Sequence, residues 1–159
     1  MTAPRLLLVL LLALGLVVSA SACGGSGEPS VEEFSDAVVL NRNRTDFVLG
    51  RITRAQSIEE VLNRMDEASA TISKAADELE ETGAPSDYQP EADDLVKWMR
   101  QLSVDVQATA DQARIPGFEG LLTQTNAISF DSWDQVNKAL AGLAGKGIEV
   151  MILQRHSAQ

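Results

Sequence analysis

The sequence predicts an all-α domain, an antiparallel four-helix bundle, spanning residues 30–159. Three observations carry this expectation. Apolar residues from Ser30 onward recur every three or four positions, the period of a helix face. Capping residues and Pro/Gly stops cut that pattern into four segments. Each segment has a single apolar stripe and cannot bury it alone, and packing four such helices side by side is the economical way to do so.

The first segment is expected over 31–54. Ser30 with Glu33 forms a capping box, and Val31, Phe34, Val38, Val48 and Ile52 share a face. Asn41 and Thr45 fall on the same face, inside the polar run 41–46. Either the helix continues and carries a polar core layer at Asn41 and Thr45, or it breaks there and turns to solvent. The second segment is the clearest. Ser57 and Glu60 open it, Val61, Met65, Ala68, Ile72 and Leu79 form its stripe, and Gly83 with Pro85 closes it, giving a helix over 58–82.

Pro90 suits a first helical turn, and Leu95, Met99, Leu102, Val106 and Ala110 follow at helical spacing up to Pro116-Gly117, so a third helix is expected over 90–114. The fourth is expected to follow Asp131 as its cap, with Trp133, Val136, Leu140, Leu143, Gly147 and Val150 in register. Gly142, Gly145 and Gly147 each cost about 1 kcal/mol against alanine, which leaves open a kink, or a strand over 148–152. The 115–132 connection carries Phe118, Leu121, Leu122, Ile128 and Phe130, and is expected to fold back as a short helix or flap.

The first 22 residues read differently. Arg5 is followed by thirteen uncharged, mostly large apolar residues over 6–18, and then by Ser19-Ala20-Ser21-Ala22 before Cys23. A basic tip, an apolar run and a small-residue site make a secretory signal peptide, which is left out of fold reasoning. Cys23 is the chain's one cysteine, so no internal disulfide can form, and a lone thiol in an exported protein calls for another role. Gly24-Gly25-Ser26-Gly27 is a flexible tether within residues 23–29.

Ala20-Ser21-Ala22-Cys23 resembles the cleavage motif of bacterial lipoproteins, with alanine at the position where leucine is commoner. The Ala-rich, Arg-over-Lys composition looks actinobacterial. The resemblance covers about the first 25 residues. It implies that diacylglycerol is attached to Cys23, that cleavage falls between Ala22 and Cys23, and that the mature chain is held by this lipid on the extracytoplasmic face of the cell membrane. Two alternatives remain at this point. Ala20-x-Ala22 also suits ordinary signal peptidase, and residues 6–23 are close to the ~20 apolar residues that span a bilayer.

Charge and motif content narrow the function. From residue 23 onward there are 12 basic and 23 acidic groups, a net of −11, which repels a phosphate backbone and excludes nucleic acid as an expected partner. His156 is the one histidine, so imidazole- or thiolate-based metal sites lack ligands, and no phosphate loop, dinucleotide fingerprint or nucleophile elbow occurs. The acidic clusters Glu32-Glu33, Glu59-Glu60, Glu78-Glu80-Glu81 and Asp93-Asp94 lie off the apolar stripes, as a solvated face would. No enzymatic activity and no cofactor is expected. The expectation is a contact with another envelope component, such as an envelope protein, and the alternative is a small ligand received between the helices at Asn41 and Thr45.

Overall fold

In the computed structural model, residues 28–117 and 130–155 are described. Four α-helices pack against one another: α1 Val31–Ile52, α2 Ile58–Thr82, α3 Gln89–Ala113 and α4 Asp131–Gly145, with a single 3₁₀ turn at Ser86–Tyr88 ahead of α3. No strand occurs among the described residues. The all-helical bundle read from the periodicity is the observed fold.

Local chemistry explains most boundaries. Ser30 accepts a hydrogen bond from the Glu33 amide at 3.1 Å, and Ser57 accepts one from the Glu60 amide at 3.1 Å. The Glu60 carboxylate reaches back to the Gln56 amide at 2.7 Å, so the second helix starts from a two-way cap. Gly83 takes a positive φ of 72° to end α2, a backbone state that a side chain resists. Pro90 sits in the first turn of α3, where its missing N–H costs nothing.

Helix α1 is continuous through residues 41–46, with Asn41 and Thr45 both buried, so the alternative of a break there is not what forms. The fourth helix departs further from expectation. Asp131 is its first residue rather than its cap, and the helix ends at Gly145. Gly147, at φ 99°, is the reason. Its amide bonds the Ala144 carbonyl at 3.0 Å while the Ile148 amide bonds the Leu143 carbonyl at 3.1 Å, the paired pattern of a Schellman stop. Ile148 and Leu143 are both buried, which supplies the apolar contact of that motif. Gly147 and Val150 therefore lie outside the helix, and residues 148–152 make no strand either. The 118–129 portion of the 115–132 connection, the Cys23 region and His156 lie outside the described residues.

Neighbouring helices run antiparallel. Arg51 pairs with Glu67 and Arg44 with Glu78, so α1 descends as α2 rises. Arg114 meets Asp66 while Arg100 meets Asp77, and the same holds for α2 and α3. Asp105 accepts from Ser132 near one end of α3, and Glu91 pairs with Lys146 near the other. The core is built from the predicted stripes: Phe34, Val38, Met65, Ile72, Leu95, Met99, Leu102, Val106, Val136, Leu140 and Leu143 are all essentially inaccessible. Between α2 and α3, Ser69 and Ser103 each donate to the other's main-chain carbonyl, at 3.0 and 2.9 Å, a small-residue contact with both hydroxyls satisfied.

Packing runs in a row, α1 on α2, α2 on α3 and α3 on α4, and α1 scarcely touches α4. Helix α4 has 15 residues, about 22 Å at 1.5 Å per residue, against 22 residues in α1. The side between them is closed by residues 149–155, a strap without regular secondary structure that follows Ile148.

Two predictions follow from packing and charge. Met65→Asp places an unpaired carboxylate at a fully buried position and should lower unfolding free energy by at least about 3 kcal/mol in denaturant titrations. The exposed Arg100 guanidinium binds Glu80 and holds that carboxyl below its ordinary value of 4.5. A lowered carboxylate pKa stabilises the folded state above 4.5 and ceases to do so as pH falls through the folded value. Arg100→Gln should therefore melt below wild type at neutral pH, with the gap closing as pH drops below 4.5. Added salt should shrink it too.

Candidate functional site

The strap and the groove beneath it form the most unusual constellation in the molecule. Its floor is apolar. Leu153, 2% exposed, inserts between α1, α3 and α4 against Thr45, Leu95, Met99, Val136 and Leu140. No space the size of a water remains around it.

The rim of the groove is polar and holds main chain. On α1, Arg42 donates from Nε to the Met151 carbonyl at 2.9 Å and from Nη2 to the Ile152 carbonyl. Its Nη1 donates to Asn43 at 3.1 Å and lies 3.7 Å from Asp46. On α4, Asn137 treats Leu153 as a peptide pair. Its Oδ1 accepts from the Leu153 amide at 2.7 Å, and its Nδ2 donates to the Leu153 carbonyl at 3.3 Å. Asp46 then accepts from the Gln154 amide at 2.7 Å, and Arg155 pairs with Asp134 at 3.1 Å. Five hydrogen bonds thus hold four successive residues by their backbone.

The sequence-derived candidates fall as follows. Thr45 sits in the floor of this groove, fully buried, and its hydroxyl has no hydrogen-bond partner among the described residues. Asn41, one turn earlier, is buried on the side nearer α2, where its Oδ1 lies 3.4 Å from the Arg44 guanidinium. The two are neighbours on one helix but do not act as one network. Cys23 and Ala22 lie outside the described residues.

Arg42 and Asn137 were not anticipated. Arg42 belongs to the polar run 41–46, yet it is 6% exposed, and its carbonyl partners lie 109 and 110 residues away in sequence. No local pattern announces such a pairing. The one available signal was phase, since Arg42 lies one turn after buried Val38 and one turn before Asp46.

Other parts of the surface offer less. A cleft of about 320 Å³ opens between the end of α2 and the start of α3, lined by Lys97 and Arg100 among others, and Arg100 is already engaged by Asp77 and Glu80. Lys97 lies 4.6 Å over the ring of Trp98, which is partly buried against the core, while Trp133 is buried within it. Among the described residues no cluster of His, Cys, Asp and Glu is placed to hold a metal ion, and no helix is long and apolar enough to cross a membrane. Comparison with protein-family models, curated proteins and solved structures finds no match to this chain.

Removing Arg42 should loosen the strap rather than the helices. Arg42→Ala leaves two carbonyls without their charged donor and removes the guanidinium beside Asp46, and should cost about 2–4 kcal/mol of stability. Heteronuclear spectra of the variant should change most at residues 151–155 while the α2–α3 contact keeps its shifts.

Proposed function

We propose that this chain is a non-catalytic bacterial lipoprotein. It is exported, cut between Ala22 and Cys23, lipidated on Cys23, and held on the extracytoplasmic face of the cell membrane. There its helical bundle acts by contact with another envelope component. The observation that carries the proposal is the single cysteine directly after an apolar run and Ala20-Ser21-Ala22. A thiol at that place accepts diacylglycerol, and two acyl chains anchor far more strongly than one, at about 0.8 kcal/mol per buried methylene.

Geometry is consistent with such a tether. Glu28 accepts from the Ser86 amide, and Pro29 lies 3.9 Å from the site of a Cβ on Gly83, so the chain enters the bundle at the end where α2 stops and α3 starts. Four residues, Gly24 to Gly27, lie between Cys23 and Glu28, and five steps of such a glycine-rich composition reach roughly 12 Å. The membrane-proximal end would then carry Glu32, Glu33, Glu81 and Asp87, all exposed, which favours standing off an anionic lipid surface.

Contact is supported over small-molecule binding by two features. Leu40 and Phe47, two turns apart on the outer face of α1, are exposed, as are Met151 and Ile152 on the strap beside it. Large apolar residues left in solvent on one side of a molecule favour a partner surface. The alternative of a small ligand has the unpartnered Thr45 hydroxyl in its favour, but Leu153 already fills the space such a ligand would use.

Cys23→Ala separates processing from location. Wild type should fractionate with membranes, partition into detergent and yield an acylated N-terminal peptide by mass spectrometry. The variant should lose the acyl mass, and should either accumulate uncut or, if ordinary signal peptidase uses Ala22, appear in the medium. An unmodified thiol at the wild-type N-terminus would sink the proposal.

A further inference from the structure

We infer that the groove between α1 and α4 is a peptide-binding site, occupied in cis by the strap, which accepts in trans an extended, neutral-to-basic segment of a partner protein with one large aliphatic anchor. The inference rests on the reading of this domain as a contact module and names the chemistry of the contact.

What the groove recognises is main chain. The bonds that Arg42, Asp46 and Asn137 send to residues 151–154 go to backbone atoms, while the side chains of Met151, Ile152, Gln154 and Arg155 stay exposed. The one side chain of residues 151–155 that is buried is Leu153. A site that holds consecutive peptide units and inspects a single aliphatic residue has the recognition logic of peptide grooves, where main-chain bonds supply affinity and one pocket supplies selectivity. A helix-capping or core-filling segment would instead bury most of its own side chains.

Two further observations point the same way. Thr45 is fully buried against Leu153 with its hydroxyl unpartnered among the described residues, at a position where an apolar side chain of equal size would satisfy packing. The hydroxyl finds a partner only in the open groove, when the anchor leaves and water enters. The strap is also separable from the helices. The Schellman stop at Gly147 and buried Ile148 secure the end of α4 independently, so residues 149–155 can leave without unwinding it. Charge selects the visiting segment: Asp134 already takes Arg155, two positions past the anchor, and a domain of net −11 favours a basic residue there.

The test uses the full chain and a fluorescein-labelled peptide of residues 149–155. With Leu153→Asp the strap loses its anchor, and this variant should bind the peptide at least tenfold more tightly than wild type by anisotropy. Adding Asn137→Ala, or placing aspartate at the anchor of the peptide, should abolish binding. A Leu153→Asp chain with wild-type helicity that binds no better than wild type overturns the inference. If that variant unfolds, hydrogen exchange on wild type decides. The Leu153 and Gln154 amides should exchange at least 100-fold faster than the Met99 amide, with no dependence on low denaturant, and exchange at the core rate overturns the inference. A groove that binds peptide on a chain whose Cys23 bears no lipid would refute the anchor alone; a lipidated chain that fails these readouts would refute the groove alone.

Discussion

The insertion of Leu153 between α1 and α4 is the contact on which the closed shape of this bundle depends. Three helices of 22 to 25 residues and one of 15 cannot present four equal faces to one another. The short fourth helix packs on α3 and leaves α1 with an uncovered flank. A leucine side chain buried there contributes roughly 1.5–3 kcal/mol, and excludes water from Leu95, Met99, Val136 and Leu140 as well. An extended segment has a cost that a helix does not. Its amides and carbonyls have no internal partners, so side chains of the flanking helices must supply them. Arg42, Asp46 and Asn137 meet that requirement.

This explains polar side chains where a bundle would ordinarily place leucine. Arg42 is buried because its guanidinium is the donor for two strap carbonyls, and Asp46 offsets its charge. Removing one member of such a set would leave its partners stranded, which is more costly than never having had them. Ser69 and Ser103 follow a different logic on the opposite side of the molecule. Each hydroxyl satisfies itself on the neighbouring backbone, so their burial rests only on the close approach of α2 and α3. Thr45 fits neither pattern, and its lone hydroxyl is the one polar group in the groove floor.

Charge on the described surface is organised around pairs that cross between helices. The exposed pairs Arg100 with Asp77 and Glu80, and Arg114 with Asp66, bridge α2 and α3 and add little stability, because solvent screens them. The surplus of carboxylates lies outward. Among the described residues, large apolar side chains face solvent at Leu40 and Phe47 on α1 and at Met151 and Ile152 on the strap, beside the main-chain-binding groove, and singly elsewhere at Ile58, Val104 and Ile115.

Periodicity, caps and stops are local, and whatever depended on them was legible in the sequence. The stripe of Met65, Ile72 and Leu79 and the caps at Ser30 and Ser57 follow from neighbours within a few positions. Continuity of α1 was not settled locally, because propensity alone weighs the polar run 41–46 against the helix. Packing decided it, by burying one face of that run and giving Arg42 and Asp46 partners on the strap. The end of α4 was misread for a related reason. Gly147 and Val150 keep helical spacing, but a glycine free to take φ 99° opens a stop that the apolar pattern does not register. The groove lay wholly beyond local reading. Its two halves, Arg42 with Asp46 and residues 151–154, are more than 100 positions apart, and only tertiary structure makes peptide carbonyls the partners of a buried arginine.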